Sequence, residues 1–192
     1  MLISAERFDN APVMSLQTGS ELARVARAVV DPRSLTIIAY ELAGPLLDQS
    51  PSLLRIADIR EIGPLGIIVD SVDELITPSD VIKIKEVYEF QFELIGKRIL
   101  DEKGKKIGRV VGYTLEAGNF VIQQLRVRRP LLQSFGDTEL LIHRSQIDKV
   151  TDEAIIVKTP KVRHTEPVVQ PQASFENPFR KPPQPAAERI EE

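Results

Sequence analysis

The feature that most constrains this chain is that it matches itself. Shifted by 85 positions, Gly19 falls on Gly104, Leu22 on Ile107, Arg24 on Arg109 and Val25 on Val110. The same shift carries Ile37 onto Ile122, Tyr40 onto Leu125 and Leu42 onto Val127. A shift of 88 then aligns Leu53 with Leu141, Ile59 with Ile147, Ile62 with Val150, and Ile67-Ile68-Val69 with Ile155-Ile156-Val157. The change from 85 to 88 needs only a three-residue insertion in the loop near 130–137. A slip of one residue in a strand turns every side chain to the other face. A shift held over several apolar runs therefore marks two homologous modules rather than chance.

Within each copy the apolar runs are short and rich in β-branched residues, and Gly and Pro punctuate them. Leu35–Leu42 (LTIIAYEL) reads as a strand, followed by Leu53–Ile56, Ile59–Ile62 and Gly66–Val69. Glu21–Val30 has the composition of a helix, yet its mate Lys106–Tyr113 (KIGRVVGY) reads as a strand, so both copies are read as strands. Gly104 and Gly118 fall in turns that call for positive φ, and Gly108 and Gly112 where a strand bends tightly. Between the copies, Thr77-Pro78-Ser79-Asp80 is a helix start. Val81, Ile84 and Val87 then recur at helical spacing, which predicts a connecting helix over Pro78–Phe90.

After residue 160 the pattern stops. Residues 160–192 hold half of the chain's 14 prolines and few aliphatics. Such a segment cannot bury enough surface to offset chain entropy, so it is expected to be disordered or polyproline-like.

Composition excludes several function classes. There is no cysteine, which removes disulfides, thiolate catalysis and thiolate metal sites. The 25 basic residues are outnumbered by 28 acidic ones, unlike a dedicated nucleic-acid binder. No secretory leader is expected, and no apolar run approaches the roughly 18 residues that span a bilayer. A cytoplasmic protein is expected. The charge is uneven: residues 1–80 carry 6 basic and 12 acidic side chains, residues 81–160 carry 14 and 11. These acidic and basic halves are able to attract one another or to face different partners.

No catalytic constellation emerges. His143 and His164 lack companion ligands, and the acidic groups Asp70, Asp73, Glu74 and Asp101-Glu102 flank predicted turns. The glycines lack the context of a phosphate loop. No enzyme activity, cofactor or metal is expected. The candidate binding residues are Arg126, Arg128 and Arg129, in a positive region shared with Lys103, Lys105, Lys106 and Arg109. Strand alternation places Arg126 and Arg128 on one face, where they can grip carboxylates or phosphates. Tyr113 and Phe120 are the nearest aromatics, a thin platform for stacking RNA bases. In the tail, Phe175 and Phe179 lie in a proline-rich stretch suited to docking a groove.

Leu94-Ile95-Gly96-Lys97, Asp101 to Gly104-Lys105 and Ile107-Gly108-Arg109-Val110 resemble the PRC-barrel family. Ile122–Val127, Leu141–Ile147 and Ala154–Val157 continue the resemblance, while the first copy has Ala23 where Gly108 stands. Members of this family form small β-barrels that serve as docking modules, as in the photosynthetic reaction-centre H subunit and the C-terminal half of the ribosome-maturation factor RimM. With the helix and tail read above, the resemblance implies an all-β protein with minor α: a first barrel over 1–76, a linking helix over 77–92, a second barrel over 93–160 and a tail over 161–192. It implies a non-enzymatic adaptor or scaffold that binds proteins through barrel faces and tail. An RNA- or ribosome-associated assembly factor is the alternative, and peripheral recruitment to a membrane complex is a further route.

Overall fold

The computed structural model describes residues 1–130 and 139–158. Phe175 and Phe179, and the expected tail as a whole, lie outside the described residues. The chain from Met1 to Pro160 forms one compact unit. It is mostly β-structure, with a single α-helix among the described residues.

The first sheet contains β2 (Pro12–Ser15), β3 (Glu21–Asp31), β4 (Thr36–Ala43), β5 (Ser52–Arg55), β6 (Glu61–Gly63), β7 (Gly66–Val69) and β8 (Leu75–Ile76). Their order is β6-β7-β2-β3-β4-β5-β8. The second contains β9 (Arg98–Asp101), β10 (Lys106–Glu116), β11 (Ile122–Arg128), β12 (Glu139–His143), β13 (Ile147–Val150) and β14 (Ala154–Val157). Their order, β12-β11-β10-β9-β14-β13, repeats β5-β4-β3-β2-β7-β6 of the first path, and β8 has no counterpart in it. Each copy has one parallel pair: Val13 opposite Ile67, and Ile99 opposite Ile155.

The repetition extends to register. Val25 lies opposite Leu42 and Val110 opposite Val127, and Ala28–Tyr40 repeats as Tyr113–Leu125. Both long hairpins bulge at matching places, between Val25 and Arg27 and between Val110 and Gly112. A bulge bends its strand and sharpens the twist, so the same curl is built twice.

Neither path closes through a ladder among the described residues. β12 and β13, like β5 and β6, are joined by a single 3-10 turn, Arg144–Gln146 in one copy and Ile56–Asp58 in the other. In the first copy β8 then pairs with the outer edge of β5, Leu53 opposite Ile76.

Three features depart from sequence expectation. β1 (Leu2–Ser4), at the head of the first copy, pairs with β10 of the second, Ile3 opposite Leu115. Gly118 does not take positive φ; Phe120 does, at 56°, as does its repeat mate Leu35 at 46°. The connecting helix is split, with a 3-10 turn over Pro78–Asp80 and α1 over Ile82–Glu89. Thr77 and Asp80 close a capping box within the first turn, and extended Val81 separates it from α1.

One apolar cluster runs through both copies, including Phe8, Tyr40, Ile99, Leu115, Phe120 and Leu125. Phe8 stacks on Tyr40 with ring centroids 5.3 Å apart and meets Phe120 at 5.9 Å. A second cluster seats α1 on the outside of the first sheet, through Ile84 and Val87 against Val29, Ala39 and Leu53. Arg27 lies over the Tyr88 ring at 4.9 Å, and the Tyr88 hydroxyl donates to Glu41 at 3.1 Å. In the second copy the matching positions are Thr114, Gln124 and Leu141. No helix covers that face among the described residues; Leu141 is exposed there and Gln124 half-buried, while the Thr114 hydroxyl is buried.

Candidate binding groove

A group of basic side chains lies where β10 and β11 begin and end in the second copy. Lys106 and Arg109 project from β10, and Arg128 ends β11, followed by Arg129 and Pro130. With Ile95, Gly108 and Val111 they line a groove of about 590 Å³. Its floor is shaped by Gly108. A Cβ built there would stand 2.3 Å from the Arg128 carbonyl oxygen and 2.7 Å from Val127. Only glycine permits that approach of β10 to β11.

Among the described residues no acidic side chain lines the groove, and Glu93, Asp152 and Glu153 line an adjoining hollow that shares Ile95 and Arg109 with it. Arg109 donates to the Gly96 carbonyl at 3.0 Å, which orients its guanidinium without neutralising it. Arg128 has only a loose ion pair, 3.9 Å from Glu139. Ile95, 52% exposed, supplies an apolar centre among the cations. Such a site can hold carboxylates around an aliphatic side chain.

The first copy provides a comparison inside the same molecule. Arg24, mate of Arg109, likewise donates to a backbone carbonyl, that of Asn10 at 3.2 Å. This contact is structural in both copies. Around it, however, the charges differ. Glu21 stands in place of Lys106 and pairs with Arg24 at 2.8 Å, while Ala43 and Gly44 replace Arg128 and Arg129. The scaffold is repeated and the cationic groove is not.

Arg126 has a separate environment from its two neighbours. It shares a face with Arg128, opposite Gly112 and Leu141 in register. Its guanidinium occupies the space left by the missing Gly112 side chain, 2.6 Å from where a Cβ would be. It forms an ion pair with Glu6 of the N-terminal segment and lies 3.8 Å from Glu139. Its charge is therefore largely matched from within the chain. Sequence reading grouped Lys106 and Arg109 with the positive region but missed Ile95 and Glu6. Ile95 looks like an ordinary apolar residue, and Glu6 lies 120 residues from Arg126.

The other candidates have local structural roles. His143 is exposed at the head of a 3-10 turn, where its Nδ1 accepts the Ser145 amide at 3.2 Å. Asp70 pairs with Arg60 at 2.6 Å. Asp101 accepts the Lys103 and Lys105 amides at 2.9 and 2.8 Å, fixing the turn in which Gly104 adopts φ of 79°. Among the described residues, no three metal-ligating side chains come together, and no helix is long and apolar enough to cross a membrane. No protein-family model matches the chain, and no curated protein matches it.

Proposed function

We propose that the chain is a non-enzymatic docking protein, two PRC-like barrel modules in tandem, and that it binds an acidic segment of a protein partner in the groove of the second module. The cytoplasm is the compartment this reading assigns. The supporting observation is the contrast between copies: Lys106, Arg128 and Arg129 surround a glycine-floored groove where the first copy has Glu21, Ala43 and Gly44. Arginine suits this task because its planar fork meets a carboxylate with two parallel bonds.

A protein partner is favoured over RNA by the placement of the aromatics. Tyr113 and Phe120, the nearby rings that could stack on bases, are buried at 9% and 4% exposure. Their faces are committed to the core. Single-stranded RNA binding draws on exposed stacking platforms as well as charge.

Fluorescence anisotropy with an acidic peptide containing an aliphatic residue tests this reading. The peptide should bind at low ionic strength, weaken as salt screens the groove, and lose affinity on Arg128→Glu. A single-stranded RNA bound more tightly than the peptide would overturn it.

A further inference from the structure

The chemistry that the groove would accept is present in the chain itself. Cations around exposed Ile95 call for an exposed turn with carboxylates around an aliphatic side chain. The β7–β8 turn, residues 70–74, is such a turn. Val72, 47% exposed, stands between Asp70 and Asp73. Asp70 shares its carboxylate with Arg60, and Glu74 lies near Arg55. Asp73 is exposed and has no cationic partner among the described residues. The Ser71 hydroxyl accepts the Asp73 amide at 3.1 Å and donates to the Asp73 carboxylate at 3.3 Å, which holds it beside the tip.

The turn is anchored where it stands. The Gln17 amide donates to the Asp70 carbonyl at 3.0 Å, and the Ser15 hydroxyl donates to it at 3.4 Å. Strands β7 and β8 pair into the first sheet on either side. None of its residues lines the groove of the same molecule. The wider charge distribution points the same way: residues 1–80 have twelve acidic and six basic side chains, and the groove belongs to the basic half.

We infer that the acidic turn of one copy docks in the basic groove of a second copy, so that chains associate head to tail. The inference rests on the groove reading proposed above. The two surfaces are different patches, so the contact is heterologous and a bound pair still offers one free turn and one free groove. Association then grows with concentration and falls with salt, since exposed charges are screened beyond about 10 Å at 0.1 M ionic strength.

Sedimentation velocity on the full chain tests this with two double variants. Val72→Lys/Asp73→Lys removes the turn and leaves the groove; Arg128→Glu/Arg129→Glu removes the groove and leaves the turn. Wild type should sediment beyond a dimer at high concentration and low salt, and each variant alone should remain monomeric. An equimolar mixture should form a dimer and stop there, because only one working contact exists in that pair. A wild type that stays monomeric throughout, or a mixture that does, overturns the inference. So does a turn variant that associates as well as wild type. The acidic-peptide titration separates the two levels. A turn variant that binds the peptide while wild type fails to self-associate removes the head-to-tail contact alone. A wild type that binds no peptide removes the groove reading with it.

Discussion

Leu35 and Phe120 occupy the same place in the two copies, 85 residues apart, and their main chains meet across the interface between the sheets. The Ile122 amide donates to the Leu35 carbonyl at 2.9 Å, and the Ile37 amide donates to the Phe120 carbonyl at 3.1 Å. Thr36 and Val121 form the bridge between them. Both residues have left-handed backbones, and both side chains are buried at 4% exposure. The contact is self-complementary, as in a two-fold dimer, but is made within one chain. Arg144 braces it from one side only, donating to the Ser34 carbonyl at 2.7 Å and to Ile122 at 3.3 Å.

Phe120→Ala should therefore weaken both copies together. It removes a ring packed on Phe8 and lying edge-on to Tyr40, with centroids 6.3 Å apart. Truncation of a buried aromatic costs about 3–5 kcal/mol. Urea unfolding should show one cooperative transition displaced to lower denaturant.

Glycine substitutions should divide sharply. Gly108→Ala places a methyl group 2.3 Å from the Arg128 carbonyl oxygen and should destabilise by about 1–3 kcal/mol. Gly118→Ala meets nothing within 4 Å and should change stability by at most about 0.5 kcal/mol. Chemical denaturation of both variants checks the contrast.

The helix-covered face supplies a second matched pair. Leu53 is fully buried against α1, whereas its repeat mate Leu141 is 62% exposed. Leu53→Ala should cost about 2–5 kcal/mol, and Leu141→Ala about 0.5 kcal/mol or less. Thermal melts of the two variants read this difference directly.

Much of the fold was legible because the repeat supplied information that one copy lacked. Glu21–Val30 has a helical composition, and its mate Lys106–Tyr113 identified it as a strand. The cross-pairing of β1 was hidden, since three residues carry no register and their partner is more than a hundred positions away. The positive φ at Leu35 and Phe120 was hidden for another reason. It is imposed by contact between the copies, and neither residue type advertises it. Of the binding residues, alternation placed Arg128 with Arg126 but could not show that Glu6 matches the charge of Arg126 while Arg128 has a loose pair with Glu139.

Alkaline pH should release stability through the tyrosines. Burial pushes the Tyr113 hydroxyl up to about 12, with a smaller contribution from Asp9. Burial raises Tyr40 further, with Tyr113 and Asp9 adding to the shift. A folded pKa above the unfolded value near 10 means that the unfolded chain releases its proton first. The stabilisation is complete below about pH 10 and is lost as pH rises toward 12. Tyrosinate absorbance from Tyr40 and Tyr113 should thus appear together with unfolding rather than before it.

On the function proposed above, the second copy alone presents a working cationic groove. Its most direct test is anisotropy titration of the acidic peptide against Lys106→Glu/Arg129→Glu and against Lys83→Glu/Lys85→Glu, which makes the same charge change on exposed positions of α1. Exposed ion pairs contribute about 0.2–1 kcal/mol each, and reversal adds repulsion, so the groove variant should bind at least about ten-fold more weakly while the helix variant stays close to wild type. Equal losses in the two variants, or no binding by wild type, would contradict the account.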